Sequence, residues 1–175
     1  PDMAIFAKAL GNGYAISACI GRKEFMQATQ KTFISSTFWT ERIGPTAALK
    51  TIEIMERERS WEKITKIGGN VSDGWQQLAD KYGLDIYRWG LPALSGYTFN
   101  SDNALSYKTL ITQEMLKKGY LATNCVYACI DHTQKVVNGY FQELDVIFSV
   151  IKDCENGSIS IDSLLEGAVC HSGFS

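Results

Sequence analysis

The sequence has no strong charge of either sign, no long apolar run, no paired cysteine motif and no internal repeat, and each absence removes a class of function. A formal net charge of -2 and a pI near 5.7 give no general attraction to nucleic acid or to an anionic membrane. A small molecule or a protein is the expected partner. No apolar stretch approaches the roughly 20 residues of a bilayer-spanning helix, and the N-terminus lacks the basic, apolar and small-residue order of a signal peptide. The expectation is a cytoplasmic protein. Five cysteines, Cys19, Cys125, Cys129, Cys154 and Cys170, are odd in number and scattered without a CxxC pair, so neither a disulfide framework nor a zinc site is expected.

What is present is 45% hydrophobic and 21% charged over 175 residues, the composition of one ordinary domain able to bury a core. Pro1 follows no Met, and Met3-Ala4-Ile5-Phe6 already reads as the approach to a buried strand. The chain is expected to begin in mid-fold.

Ala4 to Ala7 is a short apolar run ending at Lys8, followed at once by the turn Gly11-Asn12-Gly13. A second run, Ile16 to Ile20, precedes a short helix from Lys23 to Thr29 with Phe25 and Met26 facing inward. Phe33 to Arg42 reads as a loop. Pro45 suits a first helical turn, and Ala48, Leu49, Ile52 and Met55 repeat at helical spacing. Trp61, Ile64, Ile67, Val71, Trp75 and Leu78 mark a second long helix, although Gly68-Gly69 weakens its middle by about 1 kcal/mol per glycine. Leu84 to Trp89 and Leu94 to Phe99 read as an antiparallel pair. Tyr107 to Leu116 continues as a helix closed by Gly119, Tyr120 to Ala122 as a further strand, and Thr133 as the cap of a helix whose apolar face runs from Val136 to Ile151. A polar tail follows.

A lysine at the end of an apolar strand, beside a glycine loop, suits Schiff-base chemistry, because desolvation favours the free amine that acts as nucleophile and proton carrier. On spacing alone such a lysine is more often a surface charge. His132 near Cys129 is no triad, and a capping or packing role suits it better. Cys170-His171 has no ligand cluster around it. Trp39, Trp61, Trp75 and Trp89 read as core or interface aromatics, and Glu53 to Arg59 as a solvated helix face.

Three ordered stretches carry a resemblance. Pro1-Asp2, Lys8, Gly11-Asn12-Gly13 and Gly21-Arg22 form the first; Ser35-Ser36-Thr37-Phe38 with Pro45-Thr46-Ala47-Ala48 the second; Gly119-Tyr120-Leu121 with Asp131-His132-Thr133 and a long last helix the third. Together they resemble the class-III aminotransferases, glutamate-1-semialdehyde aminomutase-like members included, over nearly the whole chain. Asn12 stands where that family usually has glycine and Ala15 where it has proline.

The resemblance implies the C-terminal part of a pyridoxal-phosphate fold type I transferase, α/β with α+β: residues 1–59 the end of the cofactor-binding large domain, 60–83 a connecting helix, 84–175 a small C-terminal α+β domain. It implies that Lys8 holds pyridoxal 5'-phosphate as a Schiff base and that Thr37, or else Thr40, contacts the phosphate, across a homodimer interface near Phe33 to Arg42. An amino donor and a carbonyl acceptor would be the substrates, with no metal, nucleic acid or membrane involved. The family's phosphate-cradling loop, stacking aromatic and ring-nitrogen aspartate would lie upstream of Pro1, so a fragment that folds and dimerises without turnover is the alternative. No substrate-carboxylate arginine stands out; Arg22, Arg42 and Arg88 are the candidates.

Overall fold

Residues 1–173 are described by the structure, a computed structural model, and they divide into two compact units, Pro1–Ser60 and the chain from Trp61 onward.

The first unit begins with an antiparallel ribbon of β1 (Met3–Phe6) and β2 (Ala18–Gly21), in which Met3 faces Gly21 and Phe6 faces Ala18. An isolated two-stranded ribbon is marginal in water. Here its open end is tied by Arg22, whose backbone N–H donates to the Asp2 carbonyl at 2.9 Å and whose guanidinium donates to the Asp2 carboxylate at 2.9 Å. Gly21 permits that closure, since a Cβ there would stand 2.8 Å from the Asp2 carbonyl oxygen. The short helix α1 (Lys23–Met26) then runs into a 3-10 turn, Gln27–Lys31. Phe25, expected to face inward, is exposed beside the Arg22 guanidinium, and only Met26 is half-buried. After the loop through 42 comes α2 (Ile43–Glu58), with Pro45 in its first turn as expected, ended by Arg59 in the left-handed region at φ 49°.

Beyond it lie α3 (Ser60–Tyr82), β3 (Ile86–Leu91), β4 (Leu94–Phe99), α4 (Ala104–Lys117), β5 (Cys125–Tyr127), α5 (Gln134–Glu155) and a 3-10 turn, Ile161–Ser163. The three strands form one antiparallel sheet in the order β3-β4-β5. Alternation along β4 sends Tyr97 and Phe99 into the core, where they meet Trp75 of α3, Tyr107 and Ile111 of α4, and Leu144 and Phe148 of α5. Tyr97 lies 4.7 Å from Trp75, ring to ring, and Phe99 lies 5.4 Å from both Tyr107 and Phe148. Trp75 keeps its indole N–H satisfied by donating to the Tyr140 hydroxyl at 2.8 Å.

The chain departs from its sequence pattern after α4 and in the tail. The strand expected at Tyr120 to Ala122 lies five residues later, at Cys125–Tyr127. Gly119, at φ 83°, reverses the chain, and Tyr120 N–H bonds back to the Met115 carbonyl at 3.0 Å, so this stretch caps α4 instead of pairing. The Asn124 side chain then donates to the Tyr97 carbonyl at 2.8 Å and sets the later register. The tail is not simply polar either. Ile161 is buried in the core, and the Gln113 amide holds the segment by donating to the Leu164 carbonyl at 2.9 Å and accepting from Glu166 N–H at 2.8 Å.

The α3 helix runs unbroken through Gly68 and Gly69. Their reasons differ. A Cβ on Gly68 would fall 1.6 Å from the Pro92 carbonyl oxygen, so the turn between β3 and β4 rests directly on helix backbone there, whereas Gly69 faces open space.

Candidate cofactor site

β1 ends at Phe6, Ala7 stays extended, and Lys8 turns into the left-handed region at φ 49°. Asn12 does the same at φ 45°. For a non-glycine residue this is a sparsely populated conformation, costing about 1–3 kcal/mol, and such strain concentrates at functional sites. Lys8 is held there because its carbonyl accepts from both Gly11 N–H and Asn12 N–H at 3.2 Å, closing one 3-10 turn, Lys8–Leu10. Gly11 is buried, and a Cβ on it would come 2.0 Å from the Tyr14 carbonyl oxygen. The glycine turn read from the sequence is thus a rigid seat for a lysine. The Lys8 side chain is exposed and bonds to none of the described residues. Desolvation, which the strand-end position led us to expect, is not supplied by residues of this unit.

The segment from Phe33 to Arg42 carries its own local bonds. Ser36 Oγ accepts from Phe38 N–H at 3.2 Å, and Glu41 N–H donates to the Phe38 carbonyl at 3.0 Å. Thr37 and Thr40 are both exposed, and neither hydroxyl bonds within the described residues. No hydrogen bond joins Lys8 to either threonine among the described residues. The connection runs through backbone instead: α2 packs against the Lys8–Leu10 turn, and Gly44 in its first turn is buried against the Gly11-to-Ile16 loop.

Sequence reasoning missed Glu41. Its carboxylate accepts from Ile43 N–H and, at 3.1 Å, from Gly44 N–H, capping α2 at the end nearest the lysine turn. The signal was an acidic residue two and three positions before the first helical amides, masked because Ser, Thr, Asp and Asn are the caps normally sought. Of the candidate arginines, Arg22 is tied to Asp2 and Glu24 at 2.9 and 3.1 Å, and Arg88 to Asp73 at 2.9 Å and Ser72 at 3.1 Å. Arg42 bonds to none of the described residues.

The competing constellations come apart. His132 Nδ1 accepts from Cys129 N–H at 3.3 Å, a turn-closing bond before α5, while Thr133 caps that helix through Val136 N–H. Its nearest cavity, about 390 Å³ and lined also by Tyr120, Cys125, Val136 and Tyr140, belongs to the second unit. No cluster of metal-ligating side chains occurs among the described residues, and no helix among them is long and apolar enough to cross a membrane.

Comparison with known proteins gives these features a context. The chain is 39% identical over 114 residues to the 3-aminobutyryl-CoA aminotransferase of Cloacimonas acidaminovorans (strain Evry), which covers 65% of this chain and 28% of that protein. It is 22% identical over 165 residues to a glutamate-1-semialdehyde 2,1-aminomutase of Methanocaldococcus jannaschii, covering 85% of this chain and 38% of that one. Among solved structures it is similar to the FumI protein of Sphingopyxis sp. MTA144 in its PLP internal aldimine form, with a TM-score of 0.79 at 21% identity, over 94% of this chain and 40% of that chain. A transaminase with PLP bound gives the same TM-score at 16% identity, again over 40% of its length. The chain thus spans about a quarter to two-fifths of the proteins it matches. The sequence pattern of "Aminotransferase class-III" matches residues 1–137, and this chain belongs to the class-III aminotransferase family.

Proposed function

We propose that this chain provides the lysine-bearing end of the large domain, residues 1–59, a connecting helix, and the small C-terminal domain of a pyridoxal-phosphate-dependent aminotransferase or aminomutase. The carrying observation is the seat of Lys8, a lysine in a strained left-handed conformation locked by a glycine turn at the end of a strand. The residues fit the cofactor: an amine for its aldehyde and two threonine hydroxyls for its phosphate, none of them with a partner among the described residues.

When bound, pyridoxal phosphate supplies the electron sink that loosens a bond at the carbon bearing the amino group. Lys8 Nζ would hold the cofactor through its aldehyde and, as a free amine, would carry the proton that moves at that carbon. The strained backbone at Lys8 fixes where Nζ starts from. Thr37, or else Thr40, would donate its hydroxyl to the phosphate. Burial of Lys8 would come from parts of the fold outside its own unit. An amino donor and a carbonyl acceptor are the substrates in this reading.

A two-fold homodimer in the cytoplasm belongs to the same reading. Its support is the exposure of Phe33, Phe38 and Trp39 at 95%, 75% and 69% on the loop that carries Thr37. Covering them is favourable by about 25 cal/mol per Å² of apolar surface, and it would place Thr37 at a neighbouring subunit's cofactor. A second reading, a fragment that folds and dimerises without turnover, is favoured by one observation: the aromatic core lies in the second unit, while the lysine-bearing unit buries only small residues such as Gly11, Gly44 and Ala48. Visible absorbance of the native protein separates them. The enzyme shows a visible absorbance band from cofactor joined to a lysine and loses it in Lys8→Ala; the inert fragment shows none in either.

A further inference from the structure

We infer that Arg42 is the oxyanion-binding residue of this chain's reaction site, taking either the phosphate of the cofactor or the carboxylate of the substrate. The inference rests on the reading above and adds to it the residue that handles negative charge.

Charge accounting singles Arg42 out. Arg22 is neutralised by Asp2 and Glu24, Arg57 by Glu58 at 2.9 Å, and Arg88 by Asp73. Arg59 has a partner as well. Arg42 has none among the described residues, although a carboxylate is its immediate neighbour in the chain. That carboxylate, Glu41, is committed to the first amides of α2 and leaves the guanidinium to something outside the chain's own contacts.

Place gives the unpaired charge a meaning. A Cβ on Gly44 would stand 2.9 Å from the Ala15 carbonyl oxygen and 3.2 Å from Ile16 Cβ, so this point of α2 is pressed against the loop that follows Lys8. Arg42 is two residues away, so its Cα lies within about 7 Å of the Gly44 Cα. It sits two residues after Thr40 and five after Thr37, on the segment that ends against the lysine's loop.

Its surroundings supply the physical demand. Phe38, Trp39 and Ile43 flank it in sequence and are exposed at 75%, 69% and 62%. An apolar surface of this kind is one that the working protein covers. Covering it also removes water from the guanidinium, and a desolvated arginine without an anion is strongly unfavourable. An oxyanion presented to the planar fork of donors satisfies it with charge-assisted hydrogen bonds. The helix N-terminus cannot take that anion in its place, because Glu41 already occupies it.

The test is site-resolved reaction of the native protein, stripped of cofactor, with the arginine reagent phenylglyoxal, read by mass spectrometry. Arg22, already paired, is the internal control. Inorganic phosphate and pyridoxal phosphate, but not pyridoxal, are expected to slow modification of Arg42 by about fivefold or more if the phosphate is its partner. Succinate is expected to do so on the cofactor-loaded protein if the substrate carboxylate is. Either pattern supports the inference and says which source applies. Modification of Arg42 unchanged within about twofold under all four additions, with Lys8 found carrying cofactor in a borohydride-reduced aliquot of the pyridoxal-phosphate sample, overturns it. Lys8 found without cofactor in that reduced aliquot rejects the parent reading instead, and protection of Arg42 by inorganic phosphate then still decides the arginine's role.

Discussion

Gly44 in the first turn of α2 rests on the carbonyl of Ala15, with room for a hydrogen but not for a methyl group: a Cβ there would lie 2.9 Å from that oxygen. This contact fixes the helix after the threonine loop against the loop after the lysine. Because the obstacle is backbone, it yields only by shifting one segment. Gly44→Ala is expected to destabilise the protein by about 1–3 kcal/mol through overpacking and to weaken cofactor retention. Unchanged melting temperature and unchanged retention of pyridoxal phosphate through gel filtration would contradict it.

Gly68 and Gly69 are adjacent in α3 yet should respond oppositely to alanine. Gly69→Ala meets nothing within 4 Å and gains helix propensity, stabilising by about 0.5–1 kcal/mol. Gly68→Ala drives a methyl into the Pro92 carbonyl and is expected to lower the urea midpoint markedly. Equal effects at the two positions would show that the hairpin turn does not rest on the helix.

Tyr140→Phe removes the acceptor that the Trp75 indole has among the described residues, leaving a buried N–H unsatisfied. The expected cost is about 1–3 kcal/mol. Thermal unfolding of the variant checks it, and Trp75→Phe in the same background should cost less than it does in the wild type because the two share one bond.

Glu155 accepts from Ser101 Oγ and Tyr107 Oη, each at 2.6 Å, and these bonds hold its carboxyl below the ordinary range, Ser101 contributing most. A carboxyl whose folded value is depressed adds stability that is present above its unfolded value, about 4.3, and is lost as pH falls through the lower folded value. Urea midpoints of wild type and Glu155→Gln should therefore converge as pH falls from about 6 to about 3. Parallel curves would mean that the Glu155 bonds do not persist in solution.

The sequence made the helices and the β3-β4 hairpin legible because their apolar spacing is local and long. Trp75, Tyr97 and Phe148 announce a core face whatever they meet. The shift from Tyr120–Ala122 to Cys125–Tyr127 was hidden because an apolar triplet after a glycine serves a helix cap or a strand equally well, and the bonds of Asn124 and Ala128 to the neighbouring chain, which set the register, are contacts in space. Ile161 in the tail escaped notice because Ile159 and Ile161 alternate with serines in a stretch too short to announce a core face. At the site, Lys8 and its turn were readable from the glycines, while the positive φ of Lys8, the capping role of Glu41 and the isolation of Arg42 are facts about neighbours in space. Nothing in their spacing reports them.

The central claim is that Lys8 is the lysine that holds the cofactor. Reduction of the native protein with borohydride in the presence of pyridoxal phosphate, followed by digestion and mass spectrometry, tests it most directly, because reduction makes the lysine–cofactor bond permanent. The account predicts one phosphopyridoxyl group, on Lys8, in the peptide that contains Gly11-Asn12-Gly13. A group on another lysine, or none on Lys8, would contradict it.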